Sequence, residues 1–171
     1  QRVRRQRQMC IRDRIKAASI YMFSYMIMNV AIFAILLSLK VKNEYLINIS
    51  DLKGLSKSNP IVSLSISIIM LSMAGIPPFI GFFGKFYVFI AAIEQELYVL
   101  SVLGVLASVI SAFYYLRIIK IMYFDESKSE GIINFQISFQ SKIILSLSLF
   151  LIICFIFYPS LLINISASLT I

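Results

Sequence analysis

The chain has 171 residues, of which 60% are hydrophobic and 14% are charged, and its mean hydropathy is +0.90. Soluble domains contain about 45–50% apolar and about 25% charged residues, so this composition argues against a water-soluble globular enzyme. Histidine is absent, and Cys10 and Cys154 do not form a C-x-x-C pair. His-ligated haem and zinc sites are therefore excluded, no C-x-x-C pair is present to hold zinc or an iron–sulfur cluster, and we predict no metal site.

Much of the net charge of +8 comes from the first residues of the chain. Residues 1–16 hold seven basic residues and one acid, and the remainder has a net charge of only +2. Basic arms can bind nucleic acid or anionic lipid. Residues 1–14, however, begin with Gln rather than Met and resemble translated sequencing-adapter sequence. We interpret them as a non-native arm, exclude them from the fold, and predict no nucleic-acid partner.

The rest of the chain predicts an all-α polytopic membrane protein with four transmembrane helices. An uncharged stretch of about 20 residues crosses the hydrocarbon core of a bilayer, which is about 30 Å thick. Polar connections at 40–59, 94–96 and 125–141 separate the apolar stretches. The predicted spans are residues 17–39, 61–92, 97–124 and 143–163.

The second span is predicted to be discontinuous at 75–78. As one straight helix, residues 61–92 would measure about 48 Å, which is too long for one span, yet they are too few for two. Gly75, Pro77 and Pro78 lie in the middle, and consecutive prolines remove backbone donors and clash with the preceding turn. Broken helices recur at the ion sites of transporters. The alternative is a proline kink without a functional role.

The distribution of charge predicts the orientation of the four spans. The loops at 40–60 and 124–141 carry lysines, whereas the turn on the opposite side carries Glu94 and Glu96. Basic residues are enriched in cytoplasmic loops, so we expect these two loops in the cytoplasm, or in the matrix of a mitochondrion. Counting 61–92 as two spans would distribute the lysines over both sides.

Lys85 is the candidate for proton transfer. It lies nine residues before Glu94, about 13 Å along a helix and therefore near the middle of the membrane. A charge at this depth costs about 2.5–3.5 kcal/mol on insertion scales and usually faces a bundle interior or a hydrated path. Gly81 and Gly84 are expected to let a neighbouring helix approach or to leave space for water beside the ammonium. Snorkelling and a structural ion pair are the alternatives.

The third span has a stripe of small and polar residues on one helix face, at intervals of three and four. Such stripes usually pack against other helices. A hydroxyl-lined hydrated path beside Lys85 is the second interpretation, and the two are compatible. The stripe contains Ser101, Gly104, Ser108, Ser111 and Tyr115.

Four sequence blocks together resemble a known family. They are Ser58–Pro60, Leu71–Pro78, Gly81–Tyr87 and the Tyr-Tyr-Leu-Arg of 114–117, followed by Met-Tyr-Phe at 122–124. Their order and spacing resemble the antiporter-like subunit N (subunit 2 in mitochondria) of proton-pumping NADH–quinone oxidoreductase, respiratory complex I. The resemblance covers residues 15–165 and implies the last four of 14 helices, the twelfth being discontinuous. Lys85 matches the family's protonatable lysine, where the sister subunit M typically has Glu, and the block at 114–117 favours subunit N over subunit L.

The resemblance also implies what the chain does not do alone. The family's other charged groups, a glutamate and two lysines, lie on earlier helices, so the fragment is not catalytically complete. NADH, flavin, iron–sulfur clusters and quinone bind to other subunits, and this chain holds no cofactor. The expected partners are other membrane subunits and the lipid of a bacterial inner membrane, or a mitochondrial one. A multi-subunit cation/proton antiporter and a membrane anchor without transport are the alternative functions.

Overall fold

The computed structural model describes residues 2–37, 40–41, 44–45, 48–125 and 139–157. These residues are almost entirely helical. Two short strands, β1 (Lys40–Val41) and β2 (Glu44–Tyr45), pair in antiparallel orientation, with Lys40 opposite Tyr45. A 3-10 helix covers Ile49–Leu52. The α-helices are α1 (Arg2–Leu36), α2 (Leu55–Ser58), α3 (Pro60–Ala74), α4 (Ile80–Ile93), α5 (Tyr98–Phe124) and α6 (Phe139–Phe157).

The core forms where α1 meets the later helices. The second half of α1 presents one buried face, because its buried residues recur at intervals of three and four. They are Ile20, Ser24, Met28, Ala31 and Ile35. This face contacts α4, α6 and α3, while α5 packs mainly against α3. Helix α4 meets this face where Gly81 lies beside Met28 and Gly84 lies beside Ser24 and Tyr21.

Helix α3 begins and ends with residues suited to those positions. Pro60 occupies the first helical position, where its missing N–H is not needed, and the Ser63 N–H donates to the Asn59 carbonyl at 3.1 Å. At the other end Gly75 adopts a left-handed conformation with φ of +85°. Residues 75–79 lie outside both helices, and α4 begins at Ile80. This interruption contains Pro77 and Pro78.

Within the described part of the chain, two helices are long and apolar enough to cross a membrane by length and composition: Ala17–Leu36 and Tyr98–Phe124. Three described apolar helices are shorter, at 10–17 residues: Pro60–Ala74, Ile80–Ile93 and Lys142–Cys154. The predicted count of four spans would require α3 and α4 to form one span together and the shorter apolar stretch of α6 to form another. The ends of two predicted spans, residues 38–39 and 158–163, lie outside the described residues, as does most of the loop at 124–141.

Two parts of the chain differ from the sequence-based expectation in detail. The connection predicted as simply polar, 40–59, contains the short strand pair, the 3-10 helix and α2, with Leu52 and Leu55 buried. Two leucines in a polar segment gave too weak a pattern to predict these turns. Helix α1 also extends back to Arg2 and so includes residues 2–14. Their interpretation as a non-native arm concerns the origin of the sequence and stays a prediction.

Candidate functional site: the junction of two half-helices

The end of α3 exposes backbone carbonyl groups that its own helix cannot satisfy. The Gly75 N–H donates to the Ser72 carbonyl at 3.0 Å, and the Ile76 N–H donates to the Leu71 carbonyl at 3.2 Å. These two bonds form a Schellman motif, which requires the left-handed conformation that glycine adopts without strain. The motif satisfies the carbonyls of Leu71 and Ser72. Those of Met73 and Ala74, nearer the helix end, need another donor.

Lys85 supplies that donor from α4. Its Nζ donates to the Met73 carbonyl oxygen at 3.0 Å and to the Ala74 carbonyl oxygen at 3.3 Å. Side chains on a helix lean towards its N-terminus, so the partly buried Lys85 reaches back across the interruption towards α3. A positive charge is stabilised at a helix C-terminus, typically by about 0.3–1 kcal/mol. The junction is thus a polar site that can hold a proton among apolar helices.

Gly75 lies directly against the lysine side chain. A Cβ at Gly75 would be 3.1 Å from the Lys85 Cδ and 3.5 Å from its Nζ. Glycine therefore serves the site twice, through its positive φ and through the space that it leaves for the ammonium. Pro77 and Pro78 lie in the exposed part of the interruption, on the far side of Gly75 in sequence.

The two other predicted glycines hold α4 close to its neighbours. A Cβ at Gly81 would overlap the Ser72 carbonyl oxygen and lie 3.2 Å from the Met28 Sδ. A Cβ at Gly84 would lie 3.3 Å from the Ser24 Oγ and from the Tyr21 Cα. Apart from their own chain neighbours, the nearest groups to these two glycines belong to α3 and α1, whereas those nearest to Gly75 belong to the Lys85 side chain.

The stripe on α5 faces the protein interior. Ser101 is buried, and Ser108, Ser111 and Tyr115 are partly buried, while residues between them, such as Val109 and Phe113, are exposed. The hydroxyls of Ser101 and Ser111 donate to carbonyls of their own helix, at 3.1 and 2.9 Å. Tyr115 packs against the core. These contacts are those of a packing face, and a hydrated path along it stays a prediction.

Sequence reasoning missed Ser72 and the backbone acceptors. Ser72 is fully buried, accepts a hydrogen bond from the Gly81 N–H at 3.3 Å, and donates to the Met28 Sδ at 3.1 Å. A serine in an apolar stretch carries no distinguishing pattern, and backbone carbonyls leave no trace in composition. The spacing offered a partial signal, because Gly75 lies within the predicted break at 75–78 and Lys85 follows that break by seven residues.

Within the described residues, no group of three or more His, Cys, Asp or Glu side chains could hold a metal ion. The polar groups at the junction are an ammonium, two carbonyls and a hydroxyl, and the ammonium is the group among them that can release a proton near neutral pH.

The sequence profile of the family described as "NADH:quinone oxidoreductase/Mrp antiporter, TM" matches residues 8–111. NADH-quinone oxidoreductase subunit N of Pelagibacter ubique is 46% identical over 151 residues, which are 88% of this chain and 32% of that protein. Subunit N of Parvibaculum lavamentivorans is 54% identical over 113 residues, 66% of this chain and 23% of that protein. The chain therefore spans about a third or less of the length of these relatives.

A solved structure has a similar fold. A chain of "Respiratory complex I from Thermus thermophilus with bound Aureothin" superimposes with a TM-score of 0.72 over 87% of this chain and 34% of that chain, at 23% sequence identity. At this identity the likeness concerns the fold. Together with the family profile and the two subunits N, it identifies the chain as a member of the NADH:quinone oxidoreductase/Mrp antiporter transmembrane family, similar to subunit N of NADH-quinone oxidoreductase.

Proposed function

We propose that this chain is part of a proton-translocating membrane subunit of an NADH–quinone oxidoreductase in a bacterial inner membrane. The observation that carries the proposal is the hydrogen bonding of Lys85 to the open end of α3. The similarity to subunit N supports the assignment to this complex. The chain would act with the other membrane subunits, which complete the proton path, while subunits elsewhere in the complex bind NADH, flavin, iron–sulfur clusters and quinone.

In this proposal α3 and α4 form one interrupted membrane span. Gly81 lies beside Ser72, so the two half-helices overlap near the break rather than extending end to end. From Pro60 to Ser72 and from Gly81 to Ile93 the rise is about 18 Å each, or about 36 Å together if the two halves are aligned. That length is close to the hydrocarbon thickness of about 30 Å. The direction of α4 also supports one interrupted span. Gly81 meets α1 at Met28, and Gly84, further along α4, meets α1 at the earlier residues Ser24 and Tyr21. Helix α4 therefore runs antiparallel to α1, as expected of the span that follows α1.

Lys85 would then bind and release a proton near the middle of the membrane. It lies about 24 Å from the Pro60 end of the combined span and about 12 Å from Ile93, by the same rise per residue. Its hydrogen bonds run inward to α3, which argues against snorkelling, because a snorkelling lysine extends towards the interface. The acceptors are backbone carbonyls, so the ammonium can lose its proton without leaving a carboxylate unpaired.

A cation/proton antiporter subunit is the second candidate, because the family description covers both classes. Both would use the broken helix and the buried lysine. The complex I assignment has the additional support of the relatives named subunit N. Neighbouring genes that encode the NADH-binding and quinone-binding subunits would favour it, and an antiporter operon would favour the alternative.

The test is Lys85→Met in the full-length subunit within the intact complex. Methionine keeps the side-chain volume and removes the titrating group. NADH–quinone turnover and proton pumping should fall by about tenfold or more, since a proton would cross the apolar region without its binding site. Lys120→Met, the same change at an exposed lysine of α5, is the matched control and should behave as the parent. A normally assembled Lys85→Met complex that pumps as the parent would refute the proposal.

A further inference from the structure

We propose that Ser72 is a positioning residue for Lys85: its hydroxyl fixes the start of α4 against the end of α3, which aligns the ammonium with the Met73 and Ala74 carbonyls. This inference rests on the proposed function of Lys85 and extends it to a residue on the other half-helix. It concerns the fixed geometry between the two half-helices, and not a second proton-binding group.

The hydroxyl of Ser72 supplies what the N-terminus of α4 lacks. The first N–H groups of a helix have no partner within it, and they are normally satisfied by a side chain at the N-cap. The N-cap residue of α4 is Phe79, which has no hydrogen-bonding side chain. Ser72 takes that role from α3 by accepting the Gly81 N–H at 3.3 Å. Its own proton goes to the Met28 Sδ at 3.1 Å, so the hydroxyl both donates and accepts.

The two half-helices therefore satisfy each other reciprocally. Ser72 of α3 accepts an open N–H of α4, and Lys85 of α4 donates to the open carbonyls of α3. Gly81 and Lys85 are four residues apart and lie on the same face of α4. Because α4 is continuous from Ile80 to Ile93, a shift of α4 at Gly81 moves Lys85, about 6 Å further along its axis, by a similar amount. The hydrogen bond at Ser72 thus sets the level of the ammonium.

Other serines of α3 do not make this type of contact. Ser65 and Ser67 donate to carbonyls of their own helix, those of Ile61 and Ser63, both at 2.8 Å. These carbonyls belong to α3 itself, and neither hydrogen bond reaches α4. The loss of either bond should therefore leave α4 in place. Ser67 is also buried. It is therefore a matched control for a Ser→Ala change in the same helix.

The test is a double-mutant cycle in the intact complex, with assembled complex, NADH–quinone rate per complex and proton pumping as readouts. We expect Ser72→Ala to assemble normally and to lower the rate and the pumping by about three- to tenfold, the range for one lost hydrogen bond. Ser67→Ala should resemble the parent. Ser72→Cys, which keeps the volume and a weak acceptor, should fall between the parent and Ser72→Ala. In a Lys85→Met background, Ser72→Ala should leave the residual rate unchanged, because it acts through the lysine.

Three outcomes would overturn the inference. Ser72→Ala could match the parent, or it could lower the residual rate of Lys85→Met by the same factor as in the parent, which is the behaviour of an independent structural role. It could also reduce assembly as much as it reduces the rate, with Ser72→Cys equally affected. If Lys85→Met is impaired in any of these cases, only the role of Ser72 fails. If Lys85→Met pumps normally, the proposed function fails first.

Discussion

At the residue scale, the site depends on how two neighbouring carbonyl groups are left open. The left-handed Gly75 closes the Schellman motif on Leu71 and Ser72, and the same turn directs the Met73 and Ala74 carbonyls towards Lys85. The lysine and the glycine were both apparent in the sequence as candidates. Their direct contact was not, because the nine intervening residues do not show which atoms meet across the turn.

Gly75→Ala adds only one methyl group, but it should clearly impair the site. A non-glycine residue in the left-handed region costs about 1–2 kcal/mol, and the new Cβ would lie 3.1 Å from the Lys85 Cδ. We expect a lower melting temperature of the complex and a several-fold loss of pumping per assembled complex. Ile76→Ala, at the next and more exposed position, is the control. Parental stability and pumping in Gly75→Ala would contradict the role of the turn.

At the element scale, the sequence predicts more about where helices stop than about how they pack. Residues 75–78 were singled out by two prolines and a glycine, and α3 and α4 are separated by residues 75–79. The overlap of the two half-helices was not predictable, because it depends on a close approach of Gly81 to the Ser72 carbonyl. Glycine patterns indicate that a helix can approach, but they do not identify the partner.

Gly81 and Gly84 should therefore differ in their tolerance of alanine. At Gly81 the added Cβ overlaps backbone that cannot move aside, and overpacking of this kind costs about 1–3 kcal/mol. At Gly84 the nearest atoms are at 3.3 Å, and the better helix propensity of alanine, worth about 1 kcal/mol, offsets the tighter contact. Measured by the amount and melting temperature of the complex, Gly81→Ala should be clearly destabilised and Gly84→Ala close to the parent. Equal tolerance would contradict the packing described for α4.

At the scale of the whole molecule, the orientation of the chain remains a prediction of its charge pattern. Ser50 lies in the loop expected in the cytoplasm, and Glu94 lies in the opposite turn; both are exposed. In a variant without native cysteines, Ser50→Cys should react with a membrane-impermeant thiol reagent only from the cytoplasmic side. Glu94→Cys should react only from the outer side. Labelling of both from one side would show that α3 and α4 do not form one crossing.

The proposed proton path also depends on parts of the molecule beyond Lys85. Most of the exposed apolar surface of the described chain lies on α5 and on the far side of α1. Such surface can face lipid or further helices, and the relatives are at least three times longer than the region they share with this chain. The sequence thus predicts Lys85 as a candidate but not the further groups that the proposed proton path would need.

The central claim is that Lys85 acts by exchanging a proton and not merely by holding α3 and α4 together through its charge. Lys85→Arg separates these roles, because a guanidinium keeps the charge and the hydrogen-bond donors but does not lose its proton. The measurement is the rate of proton pumping, with the NADH–quinone turnover recorded beside it, in vesicles that contain a known amount of the assembled Lys85→Arg complex. We predict normal assembly with strongly reduced pumping. Parental pumping by Lys85→Arg would contradict proton exchange at this residue and leave Lys85 a structural link between the two half-helices.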